Sequence, residues 1–206
     1  MEKQLHVITT GRQSVEELVT IAESIHPYMT MLHVREKTKS AKEVSHLIER
    51  LQKTGVPSTK IIVNDRVDVA LCTGVKGVQL THHSLDVSQV RRALPEMMIG
   101  CSVHSVSEAQ DAEQNGADII MYGHIFKTDS KRDVKPRGLA QLQHVVDQTT
   151  IPVIAIGGIT PENVRDVMKT GAAGIAVMSG VLEALSPLQA VKLYKQQLEV
   201  CDAHNV

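Results

Sequence analysis

Ala155-Ile156-Gly157-Gly158-Ile159 and Ala176-Val177-Met178-Ser179-Gly180 each close a β-branched, strand-like run with glycine, and a helical pattern follows each. Glycine at such a point lets the backbone approach a ligand closely, because no Cβ stands in the way. One such turn reads as a tight strand-to-helix connection. Two in succession, near the end of a chain of alternating strands and helices, read as the paired phosphate-gripping loops of a (β/α)8 barrel.

The rest of the chain has the matching order. Strands are expected at Leu5–Thr9, Met29–Arg35, Lys60–Asn64, Gly77–Leu80, Met97–Val103, Ala117–His124, Val153–Ile156 and Gly174–Met178. They are rich in Val and Ile, as parallel strands covered on both faces should be. Helices are expected between them, among them Ser14–His26, Ser40–Thr54, Val87–Leu94, Ser107–Asn115 and Pro161–Thr170. Ser14, Ser107 and Thr160-Pro161-Glu162 supply start signals, and Gly55, Gly116 and Gly171 supply stops. The third unit is the thinnest, since Val67–Gly74 leaves room for only a stub of helix. No GxGxxG follows the first strand, which disfavours a doubly wound open sheet. The expectation is one α/β domain over residues 1–206, a single-domain TIM barrel.

Composition removes several classes of function. The net charge is −1, which argues against nucleic acid or an anionic membrane as partner. Only four residues are aromatic, too few for a base-stacking platform. No apolar run reaches the length of a membrane span, and the N-terminal residues lack a signal peptide's apolar stretch. Cys72, Cys101 and Cys201 are scattered thiols without a CxxC, which suits a reducing cytosol. An exposed apolar stripe on the outer helices would make a homo-oligomer.

A barrel keeps its chemistry at the C-terminal ends of its strands. There the sequence places His33-Val34-Arg35-Glu36-Lys37, whose alternation puts His33, Arg35 and Lys37 on one side to meet an anion or solvent. It also places Asn64-Asp65-Arg66, Thr81-His82-His83-Ser84, Ser102-Val103-His104 and Tyr122-Gly123-His124. The polar stretch Lys127–Arg137 is the lid candidate. Of the ten histidines, His26, His46, His144 and His204 read as surface residues and His6 as a buried, hydrogen-bonded one. No ligand spacing for zinc is present. His124 ends a strand beside Gly123 on the phosphate-gripping face. It reads either as a group that moves a proton or as one that hydrogen-bonds the lid.

The motifs Val34-Arg35-Glu36-Lys37, Asn64-Asp65-Arg66-Val67-Asp68-Val69-Ala70, Gly77-Val78-Gln79-Leu80, Ile99-Gly100-Cys101-Ser102-Val103-His104-Ser105, Ile154-Ala155-Ile156-Gly157-Gly158-Ile159 and Ala176-Val177-Met178-Ser179-Gly180 resemble the thiamine-phosphate synthase superfamily. The resemblance spans nearly the whole chain. It implies a TIM barrel that binds a thiazole phosphate at the glycines after strands seven and eight. The synthase branch joins a pyrimidine pyrophosphate to that phosphate using Mg²⁺. Its magnesium carboxylates come from the Asn-Asp motif, matched here by Asp65, and from a segment after strand four. There the second aspartate has become Ser84. The branch's Gly-Pro-Ile/Val-Phe reads Gly123-His124-Ile125-Phe126, and its Gln-x-Arg-x-Lys reads His33-x-Arg35-x-Lys37.

Those departures resemble the TenI-type thiazole tautomerase. The expectation drawn from them is an isomerase that aromatises a carboxythiazole phosphate by a proton shift, with His124 as acid and base and no metal or cofactor. The substrate-binding set implied is Arg35, Lys37 and Lys131 for anionic groups and Gly157, Gly158, Met178, Ser179 and Gly180 around the phosphate. Two alternatives stand beside it: a Mg²⁺-dependent thiamine-phosphate synthase, and a non-catalytic regulatory protein that binds the thiazole phosphate.

Overall fold

The computed structural model of the chain describes residues 3–128 and 134–203. Eight parallel strands among them close into a barrel in sequence order: β1 Gln4–Ile8, β2 Met31–Val34, β3 Ile61–Asn64, β4 Gly77–Leu80, β5 Met98–Val103, β6 Ile119–Gly123, β7 Val153–Ile156 and β8 Gly174–Val177. Closure is made by β8 pairing with β1, Gln4 against Gly174 and Val7 against Val177. The helices are α1 Val15–Ile25, α2 Ala41–Lys53, α3 Val67–Thr73, α4 Val87–Ala93, α5 Val106–Gln114, α6 Gly138–Asp147, α7 Val164–Met168, α8 Ser179–Leu182 and α9 Pro187–Ala203.

Local chemistry explains most of the helix ends. Ser14 and Ser40 cap α1 and α2, each with a glutamate three residues on returning a bond to the cap. The cap of α5 is Ser105, not Ser107: its hydroxyl accepts from the Glu108 backbone. The helix therefore starts sooner than the sequence suggested. Pro161 lies in a turn, and α7 does not begin until Val164. The third helix is the expected stub, stopped by Gly74 with φ 60°.

Period-two alternation sorts the strand side chains into two sets. Leu5, Val7, Leu32, Val34, Val63, Val78, Leu80, Ile120 and Tyr122 join the large core shared with the helices. The residues between them face the lumen, and the lumen is divided. Ile8, Ile119, Met121, Ile154 and Ala176 form its apolar side. His6, His33 and Gln79 are each about 1 % exposed and, with Asn64 and Ser102, make its polar side. His6 Nδ1 meets His33 Nε2 at 2.9 Å and Gln79 Nε2 meets Ser102 Oγ at 3.0 Å across strands, and His6 Nε2 meets Gln4 Oε1 at 2.9 Å within β1. His33 Nδ1 and Asn64 Oδ1 meet no hydrogen-bond partner among the described residues.

The expected cationic face of His33, Arg35 and Lys37 does not form. β2 ends at Val34, so the alternation stops there. His33 is inside the lumen, and burial lowers its pKa well below the ordinary histidine value, which keeps the ring neutral. Arg35 is half-buried and Lys37 exposed, both in the loop beyond the strand.

Candidate active site at the barrel mouth

The loop after β7 is fixed peptide by peptide. Phe126 N donates to Gly157 O at 3.0 Å, Asn163 Nδ2 to Gly158 O at 3.0 Å, and Tyr194 Oη to Ile159 O at 3.0 Å. In a trans peptide the N–H points opposite to the C=O. With all three carbonyls tied back, the amides of Gly158 and Ile159 are turned away from those partners. The glycines are also required by neighbours in the protein itself. A Cβ at 157, where φ is 101°, would lie 2.3 Å from the Cβ of His124. One at 158 would lie 2.4 Å from Lys127 O. The Gly-Gly pair therefore lets the β6 loop cross directly over the β7 loop, a role that the ligand-approach argument does not supply.

After β8, Met178 caps α8, and the Val181 and Leu182 amides return to Met178 O. Ser179 and Gly180 occupy the first helical positions, where an amide has no acceptor within its own helix. Loop β1–α1 braces this turn: Arg12 pairs with Glu183 at 2.8 Å, and Gln13 Nε2 donates to Leu182 O at 3.1 Å. Met178 packs partly buried against the apolar side of the lumen.

His124 follows β6 through a cis Gly123–His124 peptide and is 4 % exposed. Its Nε2 lies 3.1 Å from Val134 O, and since a carbonyl only accepts, Nε2 carries the proton. The ring thus holds the far end of the lid candidate. Arg137 is committed to the same corner, its Nε donating to Gly123 O and its backbone N to His124 O. Lys131 lies outside the described residues, and so does the centre of the Lys127–Arg137 stretch.

Across the mouth, Glu36 is buried with Oε2 2.6 Å from Lys39 Nζ, while Oε1 meets no partner among the described residues. Asp65, in the left-handed region at φ 63°, has Oδ1 accepting from Thr81 Oγ1 at 2.9 Å and from Ser84 Oγ. Mg²⁺, which the family resemblance implies, wants several oxygen ligands that include carboxylates. Asp65 is a single carboxylate with one oxygen already taken by two hydroxyls. No group of three or more His, Cys, Asp or Glu that could hold a metal is present among the described residues. Mg²⁺ at such sites is commonly held through one or two carboxylates plus substrate phosphates, and Asp65 is the carboxylate that would contribute to it here.

Sequence reading missed three of the groups that shape the mouth. Asn163 and Tyr194 act through backbone carbonyls, and a lone tyrosine on an amphipathic helix reads simply as core. Glu36 carried a signal, a carboxylate between two cations, but its burial did not follow from spacing.

The fold and mouth define a class: a (β/α)8 barrel with two glycine loops after β7 and β8 and cationic residues in the loop after β2. The family model described as thiamine monophosphate synthase (TMP-TENI) matches residues 5–181, and the chain belongs to that family. Among curated relatives, the thiamine-phosphate synthase of Pyrococcus horikoshii is 37% identical over 182 residues, 88% of each chain. That of Shouchella clausii is 41% identical over 180 residues, 84% of this chain and 83% of its own. Among solved structures, the thiamine phosphate pyrophosphorylase of Pyrococcus furiosus superposes with a TM-score of 0.83 at 33% identity, covering 96% of both chains. The 3-hexulose-6-phosphate synthase of Salmonella typhimurium shares the fold alone, at 15% identity and TM-score 0.76.

These relatives overturn the tautomerase expectation. It rested on a few positions, chiefly Ser84 and His124, whereas relatives named as synthases match over most of the chain. The isomerase assignment is corrected accordingly. No described helix is long and apolar enough to cross a membrane.

Proposed function

We propose that this chain is a thiamine-phosphate synthase, a cytosolic transferase that joins a thiazole phosphate to a pyrimidine supplied as its pyrophosphate. The supporting observation is the name shared by curated relatives at 37% and 41% identity over more than four-fifths of the chain. The reaction forms one bond and breaks one. The thiazole nitrogen donates its electron pair to the pyrimidine methylene carbon, and the carbon–oxygen bond to pyrophosphate breaks with its electrons going to oxygen.

In this reading the phosphate of the thiazole sits on the amides of Gly158, Ser179 and Gly180, with the Ser179 hydroxyl beside it. Gly157 shapes the loop and Met178 forms the apolar wall for the ring. Arg35 and Lys37, with Lys131, neutralise the pyrophosphate as it gains charge. His124 holds the far end of the connection after β6 through its bond to Val134 O, while the Phe126 amide ties that connection to Gly157.

The test is to supply both substrates with Mg²⁺ in the buffer and measure thiamine phosphate and released pyrophosphate. Equal amounts of the two are expected. Arg35→Ala should lower kcat/KM by about 10- to 100-fold, the range for losing a charge-assisted contact. Binding of the thiazole phosphate without turnover would replace this reading with a non-catalytic binder.

A further inference from the structure

We propose that Tyr194 is a positioning residue that sets the distance between the β7 and β8 loops on which the thiazole phosphate is held. The proposal rests on the phosphate reading above. Tyr194 lies on α9, 35 residues beyond Ile159 in the chain, and is 2 % exposed. Helix α9 packs on both α7 and α8, the helices that the two loops lead into. From there the Tyr194 hydroxyl reaches both connections at once.

On one side, its Oη donates to Ile159 O at 3.0 Å, directly after the Gly157-Gly158 pair. On the other side it meets Gly180. A Cβ at 180 would lie 2.6 Å from Tyr194 Oη, while the next nearest atom, Cζ, would be 3.5 Å away. One oxygen atom is therefore the spacer between the carbonyl of one loop and the α-carbon of the other. It also accounts for glycine at 180, where the φ is not one that demands glycine. Burial and the nearby Glu162 carboxylate push the phenol up to about 12, so the group remains a hydrogen-bond donor across the working pH range.

Three variants test this: Tyr194→Phe, Gly180→Ala and the two combined. Calorimetric titration with inorganic phosphate and with the thiazole phosphate reads affinity, and steady-state kinetics reads KM and kcat. Tyr194→Phe should weaken both ligands and raise KM by about 3- to 10-fold, the effect of one neutral hydrogen bond, with kcat within about twofold. A merely structural tyrosine would lower the melting temperature and leave the KM-to-kcat split unmoved. Gly180→Ala alone should weaken binding further, because its methyl meets the hydroxyl. In the Tyr194→Phe background the same alanine should cost little, since the atom it would strike is gone.

That recovery is the signature of a shared spacer, and additive losses would overturn the proposal. Unchanged phosphate affinity in Tyr194→Phe, with wild type binding normally, would overturn it too while leaving the phosphate reading intact. No binding by wild type would remove the phosphate reading and this proposal together.

Discussion

Gly157→Ala is expected to lower the melting temperature by roughly 10 °C and to abolish measurable phosphate binding. Two costs add. At φ 101° an alanine is forced into a region its Cβ disfavours, which costs about 1–2 kcal/mol. The new methyl would also stand 2.3 Å from His124 Cβ and 2.8 Å from His124 Cα. Neither is the free end of a flexible side chain. The β6 loop must move as a body, and overpacking of this kind costs about 1–3 kcal/mol. In a chain of this size each kcal/mol shifts the midpoint by about 2–4 °C. Moving the β6 loop also breaks the Phe126 bond to Gly157 O, which orients the Gly158 amide.

Gly55→Ala separates the two costs. Its φ of 95° is nearly the same, but nothing lies within 4 Å of the added Cβ. It should lose only the backbone share, about 1–2 kcal/mol, and keep full phosphate affinity. Thermal melts of the two variants side by side decide the matter. Equal losses would mean that conformation alone, and not the crossing of the β6 loop, fixes glycine at 157.

The barrel was legible in the sequence because its strands are unbroken Val and Ile runs punctuated by glycine. Gly77–Leu80 and Val153–Ile156 match the expected bounds residue for residue. Errors arose where hydrophobicity outlasts pairing. Met29 and Thr30 read as strand, yet a 3-10 turn at His26–Tyr28 delays β2 to Met31. The start of α5 was misplaced because Ser105 and Ser107 both precede Glu108, and only geometry shows which hydroxyl caps.

At the mouth, the two glycine loops were found, but the reason for the glycines was only half seen. A local pattern carries no information about His124 and Lys127 crossing above Gly157 and Gly158, or about Tyr194 beneath Gly180. The functional error had a similar origin. Ser84 and His124 are single positions, and the near-full-length likeness to named synthases outweighs them.

Acidification from pH 7.5 to pH 4.5 is expected to destabilise the protein by about 3 kcal/mol through His6 in the lumen, with His33 adding in the same direction. Burial lowers the pKa of His6 to about 3 from the ordinary 6.5. A group whose folded pKa is depressed contributes stability that is complete above its unfolded value. It is lost as the pH falls toward the folded value, because the unfolded chain takes up the proton first. At pH 4.5 His6 lies two units below its unfolded pKa, and each unit is about 1.4 kcal/mol. His33 shifts in the same direction for the same reason, with the His6 ring adding to it.

The bonding explains why the His6 ring does not take a proton easily, while burial does so for His33. His6 Nε2–H donates to Gln4 Oε1, which leaves His6 Nδ1 to accept from His33 Nε2–H. A proton added at His6 Nδ1 would point at that N–H. Carboxylates do not confuse the window. Glu16, Glu17, Glu43 and Asp68 are held below their ordinary values by their hydrogen bonds, so they remain ionised down to pH 4.5. The unfolded carboxyls titrate at about pH 4, so this contribution begins to fade only at the acid end of the range and is lost mostly below it. Urea unfolding of wild type and His6→Gln at pH 7.5, 6.5, 5.5 and 4.5 would measure the effect. The glutamine amide can still pair with Gln4 and His33 but cannot titrate, so the variant should lose the His6 share of the pH dependence, about 3 kcal/mol over this range, and keep the His33 share. Parallel pH profiles for the two proteins would mean that His6 does not carry the acid sensitivity.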